Sequence, residues 1–215
     1  MADEKASDRP TITCSPNGPF LVRQLERLQN SKGESLPTKA TIALCRCGGS
    51  SKKPFCDGTH AKIGFSSERQ STKDIHRRKD YVGKSITIHD NRTICSHAAH
   101  CTDRLKSVFR LGVEPWIDPD GAGVEAIIET IRQCPSGALS YSIGAVEHRD
   151  QDREPMIVIS KDGPYYVTGG IEISDASGLQ PPSREHYALC RCGASKNKPF
   201  CDGSHWSVKF HDEKN

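Results

Sequence analysis

The chain has 215 residues, with 34% hydrophobic, 6% aromatic and 27% charged residues and a formal net charge of +3. That is too little apolar material for one large core but too much for a disordered chain, so it points to several small units held by something besides burial. The near-neutral balance argues against a dedicated nucleic-acid binder, and no run of about 18 apolar residues suggests a membrane span.

In chain order, residues 1–11 read as a flexible tail. They contain acidic residues and no apolar stretch of the secretory kind, which leads to the expectation of a cytoplasmic, bacterial protein. Ile12-Thr13 and Phe20-Leu21-Val22 read as short strands around the Asn17-Gly18-Pro19 turn. Residues 66–80 are polar and read as a linker. Lys84–His89 alternates like a strand and runs into an Asp90-Asn91 turn. Val124, Ile127, Ile128 and Ile131 follow the i, i+3, i+4, i+7 spacing of an amphipathic helix that stops before Pro135. Residues 144–155 read as a second linker. Met156–Ser160 and Tyr165–Val167 repeat the opening strand pair around Asp162-Gly163.

That repetition is systematic. Residues 12–65 align with 157–210 at a constant offset of 145, without a gap and with 22 identities in 54 positions. The organisation expected is a unit at 12–65, a different unit at 81–143 and a second copy at 156–211. Units of this size bury little surface, and a bound metal centre would supply the missing stability.

Ten cysteines and nine histidines carry the chemistry. With no secretion signal, clustered Cys and His read as metal ligands rather than disulfides. Cys45, Cys47, Cys56 and His60 recur as Cys190, Cys192, Cys201 and His205. Asp57 and Asp202 are expected to cap a short helix that carries each histidine. Three thiolates and one imidazole suit either zinc or a [2Fe–2S] centre, although Cys-x-Cys is atypical of structural zinc. A separate set, Cys95, Cys101 and Cys134, offers a three-point grip on a cubane. The remaining cysteine, Cys14, aligns with Ile159 and reads as a small buried thiol.

Cys-Arg-Cys-Gly-x-Ser followed by Lys-Pro-Phe-Cys-Asp-Gly-(Ser/Thr)-His closely resembles the CDGSH iron–sulfur (NEET-type) signature, over the whole of Cys45–His60 and Cys190–His205. The single departure is Thr59 in place of serine. The resemblance implies a [2Fe–2S] cluster in each copy, ligated by the three cysteines and the histidine. Residues 81–143, with Cys95-x5-Cys101, Phe109, Trp116 and Cys134-Pro-Ser-Gly-Ala-Leu, resemble the divergent single-cluster ferredoxins. A regular [4Fe–4S] ferredoxin would carry cysteine at Ala98, so this resemblance implies either a [3Fe–4S] centre or a [4Fe–4S] centre with His97 or His100 as fourth ligand.

The fold class expected is α+β in small β-rich modules, with the two CDGSH units packed as an intramolecular pseudo-dimer around a ferredoxin-like insert. The function expected is electron transfer by a monomer that has no catalytic residues. Its partner would be a redox protein or an apo-acceptor, with neither nucleic acid nor membrane involved. Cluster storage or transfer, redox or pH sensing, and structural zinc binding are the alternatives.

Overall fold

The computed structural model describes residues 9–215, so residues 1–8 of the expected tail lie outside the described residues. Thr11, the last residue of that tail, already opens the first strand. The first copy contributes β1 (Thr11–Cys14), β2 (Phe20–Arg23), β3 (Leu28–Gln29), β4 (Thr41–Leu44) and the single turn α1 (Thr59–Lys62). The middle unit contributes β5 (Lys79–Val82), β6 (Thr87–Asp90), α2 (His100–Arg104), α3 (Val124–Arg132), β7 (Leu139–Ile143) and β8 (Val146–His148). The second copy contributes β9 (Met156–Ile159), β10 (Tyr165–Thr168), β11 (Glu172–Ser174), β12 (Tyr187–Leu189) and α4 (Ser204–Ser207).

The strands form three four-stranded sheets, ordered β11-β1-β2-β4, β12-β10-β9-β3 and β5-β6-β7-β8. Each repeat builds a three-stranded antiparallel ribbon whose alternating pattern buries one face, as Ile12, Phe20, Val22, Ile42 and Leu44 show. Each ribbon is then completed by a strand from the other repeat. Ile12 pairs with Ile173 in β1–β11, and Leu28 pairs with Ile157 in β3–β9, both parallel. Adding 145 to 12 and to 28 gives 157 and 173, so the two contacts are one contact made twice with the copies exchanged.

The ligand loops also meet. Cys47 forms an isolated antiparallel bridge with Cys192, its own equivalent. Gly48 and Gly193 stand beside it with φ of 78° and 79°, and a Cβ on either would lie 2.5 Å from the carbonyl oxygen of the opposite cysteine. Phe20 and Tyr165, also equivalent, meet edge to face at 6.2 Å. Only Tyr165 carries a hydroxyl, which donates across the interface to the carbonyls of Cys45 at 2.8 Å and Pro54 at 3.1 Å.

In the middle unit, α3 lays Ile127, Thr130 and Ile131 against its sheet. The strand expected at Lys84–His89 begins only at Thr87, because Gly83 N–H closes a turn on the Ile86 carbonyl and Lys84 N–H is taken by Asp120. Asp90 therefore sits in the strand opposite Leu139 rather than in a turn. The two polar segments carry structure as well. Ile75, within 66–80, is buried at 1% exposure and its carbonyl accepts from the Asn91 amide. The segment 144–155 contains β8, joined to β7 by a two-residue hairpin turn with Gly144 at φ 57°.

Gly48→Ala and Gly193→Ala are expected to destabilise the protein by clearly more than Gly33→Ala. All three positions have positive φ, which costs a non-glycine residue about 1–3 kcal/mol, but Gly33 has open space around it. Thermal melts of the three variants side by side check this.

Candidate metal centres

Each repeated Cys3His site is built where the last strand of the ribbon meets its following loop. β4 delivers Cys45, whose N–H bonds the Pro54 carbonyl at 2.7 Å, and Cys56 N–H returns to the Ala43 carbonyl at 2.8 Å. Cys190 and Cys201 make the same bonds to Pro199 and Ala188, each at 2.9 Å. Ser50 and Ser195 donate across the loops to the carbonyls of Phe55 and Phe200 at 2.7 Å. Local hydrogen bonding thus fixes three thiols and a histidine within one loop.

The expected cap differs in detail. The N-cap positions are Gly58 and Gly203, at φ 87° and 84°, where a carboxylate-bearing residue would be strained. Asp57 and Asp202 stand one residue earlier. From there Asp57 accepts from Thr59 N–H and Oγ1 and from Ser51 N–H and Oγ. Those donors hold its carboxyl well below the usual carboxylate range. Asp202 does the same with Ser204 and Lys196. The aspartate is a brace for the loop.

Within each site the ligand atoms stand in two close pairs. Cys45 and Cys47 sulfurs are 3.8 Å apart, as are those of Cys190 and Cys192. His60 Nδ1 is 3.3 Å from Cys56 Sγ, and His205 Nδ1 is 3.5 Å from Cys201 Sγ. Two thiolates on one tetrahedral metal at about 2.3 Å would stand about 3.8 Å apart, and the shorter metal–nitrogen bond of about 2.0–2.1 Å brings a thiolate and an imidazole closer, so each pair is spaced to share one metal atom. Among the described residues, no three His, Cys, Asp or Glu side chains converge as a single-ion site requires.

Burial pushes the Cys201 thiol well above the ordinary range. The sulfur of Cys192 and then burial raise Cys190, whose S–H lowers Cys192 in return. Thiols in such surroundings give up their protons when a cation takes their place, which is the chemistry of a metal-ligand set. N–H donors are already aimed at sulfur, from Gly49 to Cys47 and from Gly203 to Cys201, each at 3.4 Å. Cys14 is also buried, with its thiol pushed up to about 12 by burial, and it belongs to neither site.

The two sites differ in access. Cys56 and His60 are half-buried, whereas Cys201 and His205 are buried at 2% and 6% exposure. The cover comes from the middle unit. The His97 ring packs so closely on Gly203 that any Cβ there would collide with it. Trp206 Nε1 donates to the His97 carbonyl at 3.3 Å, and the Asn197 amide donates to the Thr93 carbonyl at 3.0 Å. The first copy has Ala61 at the position of Trp206, so it could not make that bond, and Lys52 at the position of Asn197.

Cys95, Cys101 and Cys134 line one cavity of about 530 Å³, together with His97, His100 and the Asp202–Ser204 turn. Burial pushes the thiols of Cys95 and Cys101 up to about 11 and about 12. Both candidate histidines border the cavity and are exposed. Sequence reasoning missed Asp90, which also lines it. Asp90 is 2% exposed, its Oδ2 accepts from Trp116 Nε1 at 3.1 Å, its Oδ1 has no partner, and burial raises its carboxyl to about 6. No spacing rule points to a lone aspartate at a strand end.

Two family models match the chain. The iron-binding zinc finger of CDGSH type matches residues 17–61 and 162–206, and the divergent 4Fe-4S mono-cluster matches residues 81–144. The uncharacterized protein YjdI of Escherichia coli strain K12 is 39% identical over 61 residues, which is 28% of this chain and 80% of that protein. Its namesake in Escherichia coli O157:H7 matches over the same extent with the same identity. No solved structure matches.

Chelation of iron from the loaded protein should reflect the difference in access. The fraction of iron missing in Cys56→Ser is expected to be the fast-released one, and the fraction missing in Cys201→Ser a slow one. Time courses with a coloured ferrous chelator after reduction check this.

Proposed function

Because the chain belongs to the CDGSH iron-binding family, its two motifs flanking a divergent 4Fe-4S mono-cluster domain, we propose that it is an electron carrier with a [2Fe–2S] cluster in each CDGSH motif and a [3Fe–4S] or [4Fe–4S] cluster between them. The observation that carries this reading is the two-by-two spacing of the ligands. Cys45 with Cys47 and Cys56 with His60 are each suited to one metal atom, and together they fit two adjacent atoms better than a single zinc. The clusters, when bound, supply one-electron chemistry. The protein's own contribution is to hold the thiolates out of water, to direct N–H groups at sulfur and to set the three ligand sets side by side.

In this reading the exchanged strands and the Cys47–Cys192 bridge make the two copies an intramolecular pseudo-dimer, so that the chain works as a monomer. The middle cluster borders the second CDGSH site through His97 and Gly203, which supports electron passage between them. The chain acts as a carrier rather than an enzyme, because fully ligated clusters leave no metal position for a substrate. Its partner is a redox protein, and its setting a bacterial cytoplasm, where cysteines are kept from pairing as disulfides and stay available as ligands. The half-buried His60 favours a second reading for the first site alone, delivery of its cluster to an apo-acceptor.

Anaerobically purified protein is expected to be red-brown, with about seven or eight iron atoms per chain. Cys134→Ser should remove only the middle cluster's share. Iron, sulfide and zinc analysis with a visible spectrum checks both. Full zinc occupancy without charge-transfer bands would overturn the reading. EPR then assigns the middle centre: a signal in the oxidised state means [3Fe–4S], and silence until reduction means [4Fe–4S]. Rapid cluster loss to an acceptor, without reversible reduction, would favour the delivery role.

A further inference from the structure

The two CDGSH motifs both place an arginine between their first two cysteines, and both bury it. Arg46 is 2% exposed and Arg191 1%. Their surroundings differ in one respect that bears on charge. Arg191 is fully partnered: Nε donates to the Gly163 carbonyl at 2.7 Å, Nη2 to the Ser160 carbonyl at 2.9 Å, and Nη1 forms a buried ion pair with Asp212. Arg46 makes a 3.4 Å bond from Nη1 to the carbonyl of Ser15, the equivalent of Ser160, and lies over the Phe20 ring at 5.0 Å, as Arg191 lies over Tyr165 at 5.7 Å. Its Nε has no partner, and among the described residues no carboxylate forms an ion pair with it.

The missing carboxylate can be located. Subtracting 145 from 212 gives Ser67. The backbone there is held in the same way in both copies, since Asp212 N–H donates to Asp162 Oδ1 at 2.8 Å and Ser67 N–H donates to Asn17 Oδ1 at 2.9 Å. Residues 162 and 17 also differ by 145. The first copy therefore has the same frame, with a hydroxyl where the second presents the acid.

A guanidinium that is paired inside the protein acts at a distance as a weak dipole. One that is buried without a counter-charge acts as a full positive charge in a medium that screens poorly. Adding an electron to a cluster adds negative charge, which the second kind of arginine favours and the first kind hardly affects. We propose that Arg46, buried without a carboxylate, sets the reduction potential of the first CDGSH site above that of the second, where Asp212 neutralises Arg191. The proposal rests on the reading that each motif holds a [2Fe–2S] cluster. Lys214, whose Nζ donates to the Ser51 carbonyl at 2.7 Å, adds positive charge beside the first site in the same sense. So does the exposure of that site, because water stabilises the added charge. The two sites, alike in ligands, are thereby ordered: an electron that reaches the pair comes to rest at the first, more open one.

The test is an anaerobic titration of the full, iron-loaded chain with dithionite as one-electron donor, followed by visible absorption and EPR. Each step takes one ferric iron to ferrous, with no ligand bond made or broken. Two [2Fe–2S] steps are expected, and the more positive one should be missing in Cys56→Ser. Ser67→Asp should shift that step to lower potential, Asp212→Asn should shift the other to higher potential, and Ser67→Ala should move neither. If Asp212→Asn fails to fold, Ser67→Asp decides alone. The proposal is overturned if Ser67→Asp leaves the first step in place, or if the more positive step is the one missing in Cys201→Ser. A wild-type protein without two [2Fe–2S] signals would instead overturn the cluster reading, and the proposal with it; iron content and the absorption spectrum tell the two failures apart.

Discussion

The backbone contact between Cys47 and Cys192 is the constraint on which the molecule is built. It brings two ligand loops within hydrogen-bonding distance of each other, and it is sterically open only to glycine at the next position of each loop. A side chain at Gly48 would meet the opposite carbonyl, so the loops could not close and the ligand sets would lose their shared wall. The exchanged strands serve the same contact from the other side. β3 and β11 each leave their own ribbon to edge the other, and this holds the repeats in the one arrangement that lets the loops touch.

That arrangement also answers the shortage of apolar residues. Neither repeat alone buries enough surface for comfort, but the exchange gives each a four-stranded sheet and lets their cores merge. The buried residues of all three units form one cluster, running from Ile12 and Phe20 through Ile88 and Ile127 to Tyr165 and Leu189. The middle unit is therefore part of the same body. It adds a sheet of its own and covers the second ligand loop with His97, Trp206 closing over that contact from the other side.

Duplication of the ligands has not led to duplicated environments. Tyr165 braces the first loop with a hydroxyl that Phe20 cannot return to the second. Asp212 forms a buried ion pair with Arg191, whereas the equivalent Ser67 offers Arg46 no carboxylate. The middle unit buries His205 and leaves His60 half-open. The first two differences are single side chains at equivalent positions and the third is the docking of the middle unit on one copy only, so a nearly symmetric frame yields two sites of different access and different ion pairing.

Local features of this molecule can be read from its chain alone. Cysteine and histidine spacing picks out the candidate ligands, because each repeated set closes within one loop of 16 residues. The helix Val124–Arg132 is legible from its apolar period, because a helix's buried face is written every third or fourth residue. The fixed offset of 145 reveals two copies of one unit, and carried two residues further it would have matched Ser67 with Asp212. How the copies meet is visible only in the folded chain. Parallel pairing of Ile12 with Ile173 has no mark in either strand, since an edge strand looks the same whichever neighbour it accepts. Ile75 was invisible within a polar segment because one buried side chain does not change a composition. The docking of His97 on the second copy, and the orphaned oxygen of Asp90 in the cavity beside it, arise from residues far apart in the chain, and burial of a charge is a property of the assembled surroundings rather than of the residue.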